Sequence, residues 1–421
     1  MTVFPIHETQ IQNGPLLITH AMPDTQTVSI GIFLNVGSRD ESDAQAGIAH
    51  ALEHMLFKGT REHDVHKLSE LLDELGGTAN AFTAREHTCF HMRVLREDWQ
   101  KAVSVLCSMV LTPTLPEDEW RREREVIFSE MAMAEDVPED WVFDRHVEAL
   151  FPGQAMGRPI LGTRETLSNL GRNELRTFLE SRYRPPRMLI TAAGCVKHAA
   201  LLEHLNHYHW PQASQNMERE MPRMNDGVQK LERDDEQAHV VCSFPGIASA
   251  SDERPVAWLA NQMLGGGMSS RLFREVREKR GLAYGIGSHL SSLSDTGTWT
   301  ISASTDPDRL GECTRVIREV FSSFCDVLNP LDLRRAKRQL EVSMRMGMDS
   351  TDANMLHLGA RFDEESIQPQ DEWVERVQQV ELETLGAWVE AHLGAPALWS
   401  FSGSDKALSS LPEDLQAGLQ A

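Results

Sequence analysis

One order of segments occurs twice along this chain, weakly but in sequence, which points to two versions of a single domain. A strand-like run, Val28-Ser29-Ile30-Gly31-Ile32-Phe33-Leu34, leads into the polar loop Gly37–Glu41, an apolar helix-like stretch ending at Met55-Leu56, and a second helix ending at Gly76-Gly77. A hairpin follows, with Asn80–Thr83 and His87–Val94 flanking the turn Ala84-Arg85-Glu86. The order restarts at His239-Val240-Val241-Cys242-Ser243-Phe244, with the polar loop Ser249–Glu253, a helix over Val256–Leu264, another ending near Arg280-Gly281, and strands through Gly297–Ala303. Period-2 strands and hairpins mixed with 3.6-period helices predict an α+β fold: two homologous α/β-layer domains, each with a mixed or antiparallel sheet and helices. At 421 residues each copy is long enough to bury its own core. The Pro/Asn/Gln/Met-rich stretch 211–228 lacks periodicity and reads as a linker between an N-terminal domain, 1–210, and a C-terminal one, 229–421.

The copies differ in chemistry. The first apolar helix contains His50-Ala51-Leu52-Glu53-His54, with two histidines at i and i+4 on one helical face and a glutamate beside them. Two neutral imidazoles at that spacing can grip a divalent metal next to a carboxylate, the inverse of the H-E-x-x-H arrangement. The alternative is a helix with two surface histidines. Laying Met263-Leu264 on Met55-Leu56 puts Trp258, Asn261 and Gln262 opposite His50, Glu53 and His54, so the second copy lacks the motif.

A third ligand is sought on the helix that starts after Thr114-Leu115-Pro116-Glu117. Trp120, Ile127 and Met131, with Val126 adjoining, form its apolar stripe, and Glu123 and Glu130 fall on the same side while Glu119 and Glu125 point away. Carboxylates on a core-facing stripe need a metal or an ion-pair partner. Arg121 or Arg124 could be that partner.

With these motifs the chain resembles the pitrilysin/insulinase family of zinc metallopeptidases, in its short-chain branch, over nearly its whole length. The resemblance implies one Zn²⁺ per chain held by His50, His54 and Glu130, Glu53 as catalytic base, and Glu123 as an acidic residue supporting the site. Asn80-Ala81-Phe82-Thr83 matches the start of the strand whose edge pairs with substrate, making Asn80 and Ala81 substrate-binding candidates; by itself Asn80 could equally cap a turn. Arg277 to Tyr284 matches the family's Arg and Tyr pair, which implies a catalytic hydroxyl on Tyr284 and a holding role for Arg277; Tyr284 alone could be a half-buried strand aromatic. The implied architecture is a clamshell enclosing a chamber, and the implied reaction is hydrolysis of unstructured peptides. Alternatives are the catalytic half of a heterodimeric processing peptidase and a non-catalytic core-type subunit.

Composition narrows the partners. A net charge of −22 without any basic tract argues against nucleic acid. The most apolar stretch, around Ala102–Leu111, is too short to span a membrane. Six cysteines without paired spacing read as reduced thiols, and no secretory signal precedes the first strand, which together point to the cytoplasm. A mature organellar form would look the same. Both motif sets in one chain favour a homodimer over a heterodimer with a related chain.

Overall fold

The computed structural model describes residues 6–213, 218–362 and 367–416, which form two compact α+β units. The first comprises residues 1–131, 158–220 and 346–367, and the second 132–157, 221–345 and 368–421.

The sheet of the first unit contains β1 (Ile6–Gln10), β2 (Leu16–Ala21), β3 (Thr27–Leu34), β4 (Thr78–Thr83), β5 (Thr88–Leu95) and β6 (Met188–Gly194), in the order β1-β2-β6-β3-β5-β4. Only β2 and β6 run parallel; the other pairs are antiparallel. The alternation read in β3 sorts its side chains onto two faces. Val28, Ile30, Ile32 and Leu34 enter the main core with α1 (Ile48–Leu56) and α3 (Trp99–Leu111), the helices on either side of α2 (Val65–Leu75) in chain order. Phe33 faces the other way, into a smaller cluster with Met355 and Leu358. Those two residues belong to the helix Thr351–Leu358, more than 300 residues further on, whose Thr351 and Asp352 side chains accept hydrogen bonds from Ser29 Oγ. Gly31 lets this helix pack closely, because a Cβ would lie 2.6 Å from Met355 Sδ and push that side chain aside.

The second sheet contains β7 (Gly227–Glu232), β8 (Ala238–Pro245), β9 (Ala283–Ser292), β10 (Gly297–Thr305) and β11 (Leu398–Gly403), in the order β7-β11-β8-β10-β9. Position for position this repeats β2-β6-β3-β5-β4, including the single parallel pair. Its core gathers Val240, Cys242, Leu259, Leu264, Trp299 and Phe401. The first half of the sequence returns the exchange here. After α4 (Glu117–Asp136) comes α5 (Pro138–Leu150), which packs on β8 and β11 and buries His146 between Ser243 Oγ at 2.7 Å and Ser400 Oγ at 2.8 Å. Each sheet thus takes a covering helix from the other half of the chain, which a division at the linker does not follow. The described part of the linker carries no helix or strand before β7, and residues 214–217 lie outside the described residues. Among the described residues no helix is long and apolar enough to cross a membrane, and all six cysteines are free thiols.

Candidate active site

Helix α1 presents its chemistry because its other face is fully committed. Ile48, Ala49, Ala51, Leu52, Met55 and Leu56 are buried, which leaves His50, Glu53 and His54 half-buried on the remaining face. Its first turn is fixed by Glu41, whose two carboxylate oxygens accept from the Gly47 and Ala49 amides at 2.9 and 2.8 Å. Gly47 has φ 93° and packs so closely on Leu161 that a Cβ would lie 2.6 Å from its carbonyl oxygen. The loop before Glu41 rests on a buried ionic network. Arg39 donates to Glu86 at 2.6 Å, and Arg219, from the linker, donates to Asp40 Oδ2 at 2.8 Å and approaches Glu86 Oε1 at 3.4 Å.

Helix α4 faces α1 with Trp120, Glu123, Ile127 and Met131 buried and Glu130 half-buried. Val126, expected beside this stripe, is instead 43% exposed, because a helical step of about 100° carries it past the edge of the buried face. Glu130 Oε2 lies 3.9 Å from His50 Nε2 and 3.5 Å from His54 Nε2. Ligand atoms at ~2.0–2.2 Å around a tetrahedral zinc are separated by about 3.3–3.6 Å, so small adjustments would close this triad on the ion. Among the described residues it is the one group of three His, Cys, Asp or Glu side chains able to hold a metal.

The surroundings push the two histidines in opposite directions. Burial, helped by the charge of His54, lowers the pKa of His50 to about 4, leaving a neutral imidazole. Burial would also lower His54, but its hydrogen bond with Glu123 and the charges of Glu130, Glu123 and Glu53 raise it overall. His54 Nδ1 donates to Glu123 Oε2 at 3.1 Å, which orients the ring with Nε2 toward Glu130. Glu123 Oε1 meanwhile takes Lys58 Nζ at 2.8 Å. Against the burial that would raise it, these two contacts hold the Glu123 pKa below its ordinary value. The partner of Glu123 is therefore Lys58, whereas Arg121 pairs within its own helix with Glu117 and Asp118. Burial raises the pKa of Glu53 despite a 2.5 Å hydrogen bond from Thr83 Oγ1 to its Oε2.

Thr83 ends β4, the outermost strand of its sheet, so the unpaired edge carrying Asn80 and Ala81 runs up to Glu53. The Asn80 side chain accepts from the Ala81 amide at 2.9 Å, and Asn80 itself is exposed. In the second unit, the π-helical turn Phe273–Glu278 presents Arg277, whose guanidinium covers the Tyr284 ring at 4.6 Å and donates to the Tyr284 carbonyl at 2.7 Å. Tyr284 is 80% exposed, which rules out the half-buried strand aromatic. At the positions matching the motif, the second unit has made structural contacts: Asn261 Oδ1 accepts from Trp299 Nε1 at 3.1 Å, Trp258 packs on Trp373, and Gln262 Nε2 donates to Gln339 Oε1 at 3.1 Å. Sequence reasoning missed Lys58, Thr83 and Glu41. Their only signal was proximity to the motif or to the strand that follows it.

Comparison with known proteins bears on this geometry. Residues 16–164 match the family model described as insulinase (peptidase family M16), and residues 169–340 match the one described as the peptidase M16 inactive domain. An uncharacterized zinc protease of Streptomyces coelicolor is 36% identical, over 84% of this chain and 80% of its own length. One from Bacillus subtilis is 33% identical, over 83% and 86%. Among solved structures, a peptidase M16 inactive domain from Pseudomonas fluorescens (19% identical, 95% of this chain and 98% of that one) superposes with a TM-score of 0.89. A protease from Helicobacter pylori (18% identical, 95% and 99%) gives 0.88. The chain belongs to the insulinase family of zinc metallopeptidases, peptidase family M16.

Proposed function

We propose that this protein is an endopeptidase that cleaves extended, unstructured peptides lying along the edge of β4, with His50, His54 and Glu130 holding one zinc ion and Glu53 serving as general base. The observation that carries the reading is the join of Glu53 to Thr83: one carboxylate stands beside the ligand triad and at the end of an unpaired strand edge. Zinc bound by the triad supplies a Lewis acid for the scissile carbonyl and lowers the pKa of water to about 7. Thr83 occupies Oε2 of Glu53, leaving Oε1 to take the proton of the attacking water and deliver it to the leaving amine. A strand edge selects substrate by main-chain pairing, which a folded protein cannot offer. To Tyr284 the reading gives the hydroxyl that meets the developing oxyanion, and to Arg277 the task of holding it; the exposure of the tyrosine and its clamp support this. Sufficiency of this chain alone, as a homodimer rather than with a related partner, belongs to the same reading.

Glu53→Gln in the purified chain tests it. Gln keeps the shape and the Thr83 contact but cannot accept a proton, so zinc content should be unchanged while cleavage of a flexible peptide falls ~10²–10⁴-fold. A stably folded domain of similar composition should resist the unsubstituted enzyme. Activity retained by Glu53→Gln, or equal cleavage of the two substrates, would refute the proposal.

A further inference from the structure

The second unit has a cavity beside the helix that repeats α1, lined largely by guanidinium and amide side chains. The helix Arg254–Leu264 repeats α1, and the helix Pro330–Gly347, which follows Leu310–Ser323 as α4 follows α3, repeats α4. Between them the amide of Gln262, which stands opposite His54, donates to that of Gln339 at 3.1 Å. Both glutamines line a cavity of about 220 Å³.

Its charged lining is Arg271, Arg274, Arg335 and Asp332. Two of the cations are already compensated, Arg335 by Asp332 at 3.1 Å and Arg271 by Glu275 at 3.1 Å. Arg274 has no ion pair or side-chain hydrogen bond among the described residues, and the Nε of Arg271 is buried without an acceptor. The guanidinium of Arg274 is thus left over for a ligand. The half-buried Val327 and Leu328 supply a small apolar patch beside it. The volume lies below the ~300–1,000 Å³ typical of drug-sized sites and suits a residue or two of peptide.

We propose that this cavity is a binding site for a small monoanion with an apolar body, namely the C-terminal carboxylate of a short peptide ending in an apolar residue. A carboxylate matches the planar fork of Arg274 in two parallel hydrogen bonds and balances its single charge, while the terminal side chain lies against the patch of Val327 and Leu328. A phosphate dianion would leave one charge unbalanced and that patch uncovered. The inference stands on the second unit alone and does not depend on where Glu53 acts.

The probes are acetyl-Leu-Leu with a free carboxylate, the same dipeptide as its carboxamide, and inorganic phosphate, each titrated calorimetrically into the full-length protein carrying Glu53→Gln to prevent turnover. The free acid should bind roughly tenfold or more tightly than the carboxamide and than phosphate, as expected for a charge-assisted bidentate contact. Arg274→Gln, which breaks no ion pair, should remove that preference with zinc content and thermal midpoint unchanged. Gln339→Glu still accepts from Gln262 Nε2 but adds a negative charge at the cavity, so it should weaken the acid and spare the carboxamide. This variant carries the test should Arg274→Gln fail to fold. Equal binding of acid and carboxamide, phosphate binding as tight as the acid, or a preference untouched by both substitutions would overturn the proposal.

Discussion

Replacing Glu123 by glutamine tests how the metal site is held, because each of its two oxygens has its own donor: Oε1 takes Lys58 Nζ at 2.8 Å, and Oε2 takes His54 Nδ1 at 3.1 Å. Glutamine has one oxygen and one NH₂. If the oxygen stays with Lys58, the NH₂ faces His54 Nδ1, which must then accept, and the ring proton moves to Nε2, the nitrogen directed at Glu130. That tautomer cannot ligate. If the oxygen turns to His54, the NH₂ meets the Lys58 ammonium, donor against donor. Lys58 is 25% exposed and can swing toward water, so the second arrangement survives at a cost. The expected loss of zinc affinity is about 10–100-fold, or ~1.4–2.8 kcal/mol. Competition with a chromophoric chelator at neutral pH measures it, with Glu125→Gln, on the exposed side of α4, as the unaffected control. Adding Lys58→Met to Glu123→Gln frees the amide to serve His54 alone and should recover roughly tenfold of the loss. The reasoning fails if Glu123→Gln binds zinc within about threefold of the parent, or if Lys58→Met worsens it.

Three further outcomes follow from other contacts. Thr83→Val removes the hydrogen bond that opposes the raised pKa of Glu53; the pKa should climb further, and the acid limb of the kcat/KM profile should move to higher pH while the alkaline plateau is kept. Arg219→Met strips a cation from Asp40 and Glu86, which keep Arg187 and Arg39 as partners, and should cost ~1.5–3 kcal/mol in urea unfolding of the metal-free protein. Tyr284→Phe should lower kcat ~10²–10³-fold at full zinc occupancy, and unchanged kcat would make the tyrosine a mere surface aromatic.

The sequence carried the parts of this site that depend on period and missed those that depend on a fold partner. His50, Glu53 and His54 were legible because 3.6 residues per turn put them on one face, and Glu123 and Glu130 because seven residues make two turns on a stripe with Trp120 and Ile127. Lys58 lies just past the end of α1, where no period applies, and only the packing of α4 gives it Glu123. The exchanged helices were illegible for a related reason. Periodicity reports which face of α5 or of Thr351–Leu358 is buried but not against which sheet, and two sheets with one strand order offer equivalent surfaces. The polar contacts discriminate between them: His146 has Ser243 and Ser400 on one sheet, and Asp352 has Ser29 on the other.

That only one of the two copies carries the motif has a physical logic in these residues. In the first unit, His50, Glu53 and His54 contribute almost nothing to the core, whose side of α1 is filled by Ile48, Leu52, Met55 and others. In the second, the same three positions, equally half-buried, make structural contacts. Asn261 satisfies the indole N–H of Trp299, a fully buried side chain, Gln262 donates to Gln339, and Trp258 packs edge-on with Trp373, over which Arg254 and Arg376 lie at 4.0 and 4.4 Å. Restoring Glu at 261 would put a carboxylate against that indole, and restoring His at 258 would leave the Trp373 ring and its two guanidinium groups without their aromatic neighbour. Placing ligands at these positions would therefore break contacts that the second unit already makes. The first unit keeps its half-buried, metal-ready face only because Glu41, Glu123 and Thr83 hold it from outside the core.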